Sequence, residues 1–165
     1  MLAACALAAC TPALNWREVR PADSGVLAMF PCKPDRFVRS VMLAGQQVSM
    51  SLSSCSASGA TFALTHADVG DPAKVGEALS ELRAAAVGNI DGRASAPSAF
   101  SVPGMTPQPL AQRMAIEGRK ADGAVLHEQV GFFSKGTRVF QATIVGEALD
   151  REAVDTFFAG LRLPG

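Results

Sequence analysis

Two histidines are the side chains best suited to metal or acid–base chemistry, and each has a suggestive neighbour. His127-Glu128 begins the zinc motif H-E-x-x-H, but Gly131 stands where that motif needs its second imidazole. On a strand, residues i and i+4 also lie about 13 Å apart, too far to share one metal ion. His66 and Asp68 fall at i and i+2, on one strand face, where the carboxylate could orient the imidazole as a base. We predict no metal site, and a polar pair near a strand end is the plainer interpretation of His66 and Asp68.

The sequence lacks the other patterns that carry catalysis or nucleotide binding. It contains no G-x-S-x-G elbow, no G-x-G-x-x-G and no P-loop. The serines at 49–58 alternate with apolar residues, which indicates the solvated face of a strand rather than a nucleophile. Lys and Arg total 15, as do Asp and Glu, and no basic block is present, which argues against nucleic acid as a partner. We therefore predict no enzyme activity, no cofactor and no nucleotide ligand.

The first ten residues form the most distinctive segment of the chain. Residues 1–9 are all apolar, too few for a membrane span of about 20 residues, and they match the end of a signal peptide. The letters L-A-A-C that end at Cys10 resemble the lipobox of bacterial lipoproteins, in which the cysteine is acylated and the chain is cut just before it. The same letters end at Cys5. We prefer Cys10, because Thr11-Pro12 opens a polar, helix-breaking segment after it.

The lipobox resemblance implies a location. It implies a signal peptide at 1–9, a lipid on Cys10, a short linker at 10–15 and a Gram-negative envelope protein that faces the periplasm. Thr11, rather than Asp, after the cysteine favours the outer membrane. No Lys or Arg precedes Arg17, so we expect the true start to lie upstream. The alternative is a buried N-terminal helix.

The two cysteines beyond this segment suggest a disulfide. Cys32 follows a proline turn, and Cys55 ends a strand that starts near residue 46. In an oxidising compartment two such thiols are expected to pair. The alternative is two buried, unpaired thiols.

The rest of the chain is consistent with one domain over residues 16–165. Hydrophobic alternation predicts strands at 25–30, 36–43, 46–55 and 60–67, and then at 110–118, 124–133 and 137–145. Apolar residues at steps of three and four predict helices at 72–89, after Asp71-Pro72, and after Asp150. The predicted fold class is α/β in the α+β sense, with an antiparallel central sheet sandwiched by helices.

A proline-rich segment at 91–109 interrupts this order. It holds four prolines, which restrain the backbone of a long loop. Phe100, Val102 and Met105 are predicted to be exposed there as an apolar contact patch. The alternative is a loop that merely covers one sheet edge.

The order of elements and two short motifs resemble the PsbP-like fold. The motifs are residues 26–34, a strand that ends in an F-P-x-x-P turn, and the closing F-F-x-x-L-R-L at 157–163. The resemblance implies an antiparallel sheet between helices. The family includes bacterial lipoproteins and has no shared reaction, so no catalytic residue is carried over.

Three functions follow as hypotheses. The first is a non-catalytic lipoprotein at the membrane that binds an envelope protein or assists assembly. The second is a small-ligand binder that uses a crevice between sheet and helix. The third is a hydrolase with His66 as its base.

Overall fold

The computed structural model describes residues 14–165, so the predicted signal peptide at 1–9 and Cys10 lie outside the described residues. Strands and helices follow the predicted order, with boundaries shifted by a few residues. They are β1 (Arg17–Val19), β2 (Ala28–Phe30), β3 (Asp35–Leu43), β4 (Gln46–Ala57), β5 (Ala60–Asp68), α1 (Val75–Asn89), β6 (Arg93–Ala94), β7 (Ser98–Ala99), β8 (Gln112–Arg119), β9 (Val125–Lys135), β10 (Arg138–Gly146) and α2 (Arg151–Ala159).

One antiparallel sheet dominates the fold. Its strand order is β3-β4-β5-β10-β9-β8-β6, and β7 also pairs with β8. Strands β1 and β2 form a separate two-stranded sheet. Two three-stranded meanders, β3-β4-β5 and β8-β9-β10, are therefore joined where β5 pairs with β10. The class is α+β, as predicted.

Tight turns connect the strands of the first meander. Ala44 and Gly45 both have positive φ, at 49° and 71°, and Ser58 and Gly59 repeat this at 51° and 76°. Two consecutive residues with positive φ are what a two-residue hairpin of type I′ requires, because that turn matches the twist of the strands. The glycine in the second position adopts this conformation without steric cost.

An aspartate caps helix α2 and another caps the 3-10 turn that leads into α1. The carboxylate of Asp71 accepts a hydrogen bond from the Ala73 amide at 2.9 Å, and a 3-10 turn over Pro72–Lys74 leads into α1. The carboxylate of Asp150 accepts from the Ala153 amide at 2.8 Å. Each cap satisfies an amide that has no partner within its helix.

The helices lie on opposite faces of the sheet, as predicted for the sandwich. The side chains that α1 buries pack with strand residues on one face, which include Val130, Phe132 and Val139. Those of α2 pack on the other face with a cluster of edge-to-face aromatic rings. This second core includes Phe30, Phe62, Phe133, Phe140, Phe157 and Phe158.

The serine-rich face of β4 was predicted to be solvated; this is correct for the exposed Ser49 but wrong for Ser51 and Ser53. Ser51 and Ser53 are only 5% and 4% exposed. Arg36 lies on the neighbouring strand, donates to Ser51 Oγ at 3.3 Å and pairs with Asp23 at 3.1 Å. The alternation of β4 was correct, but this arginine bridge and the segment before β2 lie near the face that the serines occupy.

The expected exposure of the 91–109 segment is also corrected. Val102 is 2% exposed, and Phe100 and Met105 are half-buried against the α2-side core. Phe100 packs edge-on against Phe133 and Phe158, at ring distances of 6.0 and 5.8 Å. The three residues hold the loop against the sheet rather than present a free apolar patch, because their side chains fill the α2-side core.

The predicted disulfide is present. Cys32 and Cys55 are bonded across a sequence separation of 23 residues. The bond joins the turn after β2 to the end of β4, and so links the small sheet to the main one.

Removal of this disulfide should destabilise the domain. The double variant Cys32→Ser, Cys55→Ser is expected to lose about 3 kcal/mol of unfolding free energy, because a loop of this length is no longer closed in the unfolded chain. Urea unfolding of both proteins, with the reduced native protein as a control, measures the difference. An unchanged midpoint in the double variant would contradict the expectation.

Candidate functional site

A groove of about 640 Å³ runs between α1 and the outer strands of the first meander. We call it the α1 groove. Its lining is mostly aliphatic or thioether side chains from β3, β4 and α1, with a few polar groups at its walls. The apolar lining includes Phe37, Val41, Met42, Leu43, Met50, Leu52, Leu82 and Ala85, and the polar lining includes Arg39, Thr65, Glu81, Asn89 and Gln141.

The groove arises because the sheet is wider than the helix that covers it. Helix α1 packs on β9 and β10, near the middle of the sheet. Strands β3 and β4 continue beyond it, and no described helix lies over β3 on that face. The side of α1 and the uncovered strands therefore form the two walls of the groove.

The edge strand β3 carries the exposed large apolar side chains of the described residues. Phe37, Val38 and Met42 are 59%, 54% and 68% exposed. Phe37 lines the groove, and its neighbour Val38 points to the opposite face because strand side chains alternate. The outer edge of β3 has no strand partner within residues 14–165. Unpaired edges and exposed apolar side chains are both features of association sites.

The polar groups of the groove suit binding rather than a reaction. Glu81 at its wall accepts a hydrogen bond from the Ala44 amide at 3.0 Å, which ties α1 to the β3–β4 turn. Gln141 donates to Thr143 at 3.1 Å within its own strand. Among the described residues that line the groove, no two ionisable side chains are joined by a hydrogen bond. The arrangement can hold an apolar group and orient it, without a positioned acid and base.

His66 is buried on the other face of the sheet. It is 7% exposed, stacks on Phe140 with 6.1 Å between ring centres, and has no hydrogen-bond partner at Nδ1. Burial lowers its pKa below the usual value, and the nearby Arg36 and Arg138 guanidinium groups lower it further while Asp23 opposes them. Burial therefore favours the neutral form of this imidazole.

Asp68 does not orient His66. Its carboxylate accepts from Thr137 Oγ1 at 2.6 Å and from the Gly70 amide at 2.9 Å, and these bonds, with the Thr137 bond first, lower its pKa. Ser51 lies opposite His66 across the strand pair, but its hydroxyl is bound to Arg36. The geometry thus lacks the linked base and orienting carboxylate that the hydrolase hypothesis needs.

The two residues of the partial zinc motif point to opposite faces of β9. His127 is exposed, whereas Glu128 is 5% exposed on the α1 side. The cross-strand neighbours of Glu128 are Ile116 and Val145, both apolar. Burial raises the pKa of this carboxyl group to about 7. Among residues 14–165, no cluster of three His, Cys, Asp or Glu side chains could hold a metal ion.

Two comparisons with known proteins found no match. No protein-family model matches the chain, and no curated protein matches it. Within the described part of the chain, no helix has the length and apolar character to cross a membrane.

Sequence reasoning suggested a crevice between sheet and helix, but it missed the position and lining of the α1 groove and the exposure of β3. A signal was available, since residues 37, 38, 41, 42 and 43 are apolar and so occupy both faces of the strand. A strand that is apolar on both faces is expected either inside a sheet or at a surface that binds. The sequence did not reveal whether β3 lies inside the sheet or at its edge, because the pairing of β3 depends on distant strands.

Glu128 should make stability depend on pH. Its pKa is raised in the folded state, so folding favours its protonated form. The stability that the protonated form contributes is present below the pKa of the unfolded state, near 4.5, and is lost as pH rises through about 7. At pH 8, the unfolding free energy of Glu128→Gln should therefore be about 2 kcal/mol higher than that of the native protein. This figure allows for solvent that reaches the Glu128 carboxyl group.

Urea unfolding at pH 4 and pH 8 measures this effect. The native protein and Glu128→Gln should converge at pH 4. Glu117→Gln removes the same charge from an exposed position of β8 and serves as the control, which should keep the native pH profile. If Glu128→Gln also kept that profile, the buried carboxyl group would not be its source.

Proposed function

We propose that this chain is a non-catalytic lipoprotein of the bacterial envelope, with a PsbP-like domain that binds another envelope protein through the α1 groove and the edge of β3. Cys10 carries the lipid, the domain faces the periplasm, and the outer membrane is the favoured location. The single observation that carries the binding role is the apolar groove beside an unpaired, partly apolar edge strand.

The disulfide supports the compartment. A bond between Cys32 and Cys55 is expected in the periplasm and rare in the reducing cytoplasm. The PsbP-like assignment draws support from contact between its two motifs. Phe30, before the proline turn, packs edge-on against Phe157 of the closing segment, with ring centres 5.5 Å apart.

The position of the tether supports access to the groove. Leu14, the first described residue, lies in a pocket beside the β4–β5 turn at Ser58. The groove is lined by Leu52 and also by Leu43, which lies at the opposite end of β4 from Ser58. Leu52 and Ser58 are six positions apart in the chain, which corresponds to about 20 Å of extended strand. The end of the groove at Leu43 would then lie farther from the tether than the end at Leu52.

An extended segment of the partner is the occupant that fits these features. Its backbone would pair with the outer edge of β3, and alternate side chains would enter the groove beside Phe37 and Val41. Arg39 and Glu81 at the walls would select polar groups on the same segment. Because the lining is largely apolar, we expect the entering side chains to be aliphatic or aromatic.

A small apolar ligand is the second candidate. The volume of the groove falls within the range of small-molecule sites, about 300 to 1,000 Å³. Native mass spectrometry of the delipidated protein distinguishes the two occupants, because a co-purifying small ligand would appear as a defined mass increment.

The partner hypothesis is tested by photocrosslinking in cells. A photoreactive phenylalanine analogue at position 37 should give one defined protein adduct, with the crosslinked peptide from an extended segment of the partner. The same analogue at position 38, on the opposite face of β3, is the matched control and should give much less adduct. In titrations with the identified segment, Phe37→Ser should weaken binding at least about tenfold, through lost apolar burial. Equal adducts from both positions would contradict the groove as the site.

The anchor is tested separately. Metabolic labelling with a palmitate analogue should mark the native protein and Cys5→Ser, and should not mark Cys10→Ser. Label that survives Cys10→Ser but disappears in Cys5→Ser would move the anchor to Cys5. Label that survives both substitutions would overturn the lipobox assignment.

A further inference from the structure

A second concave surface lies between α2 and the strands β8 and β9, on the face of the sheet opposite the α1 groove. We call it the α2 groove, and its volume is about 560 Å³. Its floor and walls combine the cationic side chain of Arg113 with the polar side chains of His127 and Gln129 and the apolar side chains of Leu149 and Val154. None of these residues takes part in the binding role proposed above.

Arg113 is held in a fixed orientation at this groove. Its guanidinium group lies 4.0 Å above the centre of the Phe158 ring, and its Nη2 donates to Gln129 Oε1 at 3.4 Å. The side chain is half-buried, and burial lowers its pKa, although the charge of Asp155 opposes this. A guanidinium group is nonetheless charged at every physiological pH.

This charge has no ion-pair partner among the residues that the structure describes. All fifteen acidic side chains lie at position 18 or later, within the described residues. Of those at the groove, Glu147 pairs with Lys120, and Asp155 lies 4.0 Å from Arg151. Among residues 14–165, no carboxylate comes within ion-pair distance of Arg113. The half-buried cation therefore has a desolvation cost that the charge of Asp155 offsets only in part, because Asp155 opposes burial without forming an ion pair with Arg113.

From this arrangement we propose that the α2 groove binds a carboxylate ligand, with the carboxylate on the Arg113 guanidinium and an apolar chain along Leu149 and Val154. The planar guanidinium edge matches two carboxylate oxygens. The amide nitrogen of Gln129 is available as a further donor, because its Oε1 faces Arg113. Stacking on Phe158 restricts the guanidinium to in-plane bonding, which suits a planar acceptor.

The charge of the surroundings favours a carboxylate over a phosphate. Arg151, Glu147 and Asp155 also line the groove, and the two carboxylates would repel a doubly charged anion more strongly than a singly charged carboxylate. At the start of α2, where free amides often bind phosphate, the Ala153 amide already donates to the Asp150 carboxylate. Two sources of the carboxylate share this chemistry: a free medium-chain organic acid and the C-terminus of a peptide.

The experiment is a titration of ¹⁵N-labelled protein followed by amide chemical shifts. Hexanoate should shift the amides of Arg113, Gln129 and Val154, and hexanol, with the same chain and no carboxylate, should not. Arg113→Gln should weaken hexanoate binding at least about tenfold, as expected for a lost charged hydrogen bond. Arg119→Gln removes a cation from the end of the same strand, outside the groove, and should change the affinity less than about twofold.

Further measurements identify the source of the carboxylate and test the proposal. If a peptide with a free apolar C-terminus binds more tightly than hexanoate, and C-terminal amidation removes this binding, the ligand is the C-terminus of a peptide. Equal binding of hexanoate and the peptide identifies a free acid. Because Arg113→Gln also removes packing on Phe158, Arg113→Lys serves as a second variant, which keeps the charge and should lose most of the affinity. Unshifted amides in native protein, equal shifts with hexanol, or tighter binding of inorganic phosphate would each overturn the proposal.

Discussion

The antiparallel pairing of β5 with β10 joins nine residue pairs in the middle of the sheet, and the rest of the fold is arranged around it. It connects two three-stranded meanders into one surface and aligns the faces of all six long strands. On one side Phe62 and Phe140 then belong to the same apolar layer, and on the other side Ala67 and Val139 do. Each helix buries its apolar stripe against one of these layers, so both cores depend on this single strand pair.

The same arrangement produces the two grooves. A six-stranded surface is wider than one helix, and each helix packs where the apolar side chains of the sheet are most continuous. Helix α1 covers β9 and β10 and leaves the β3 side of its face open. On the other face α2 leaves an opening beside β8 and β9. The grooves lie on opposite faces and on opposite halves of the sheet, so they can be occupied independently.

Much of the fold could be predicted from local patterns. The Asp71-Pro72 and Asp150 starts, the Ala44-Gly45 turn and the alternation of β4 were all readable, because each depends on neighbours within a few residues. The candidate site was harder to predict from the sequence. Ser51 and Ser53 were expected in water, yet Arg36 and the segment before β2 lie near them. Val102 was expected at the surface, yet its side chain belongs to the α2-side core. In both cases the covering groups come from distant parts of the chain, and the hydrophobic pattern of one strand does not predict contacts with them.

By itself the sequence determined the order of the main strands and helices, their approximate positions, and the pair of cysteines available for a disulfide. These properties follow from backbone preferences, caps and spacing, which act over short stretches of chain. Only the tertiary structure decided which face of each strand is covered, that Phe37 is open to solvent, and that Arg113 lies over Phe158 without a carboxylate partner. Burial and charge pairing depend on contacts between residues far apart in the chain, and those contacts exist only once β5 and β10 have paired.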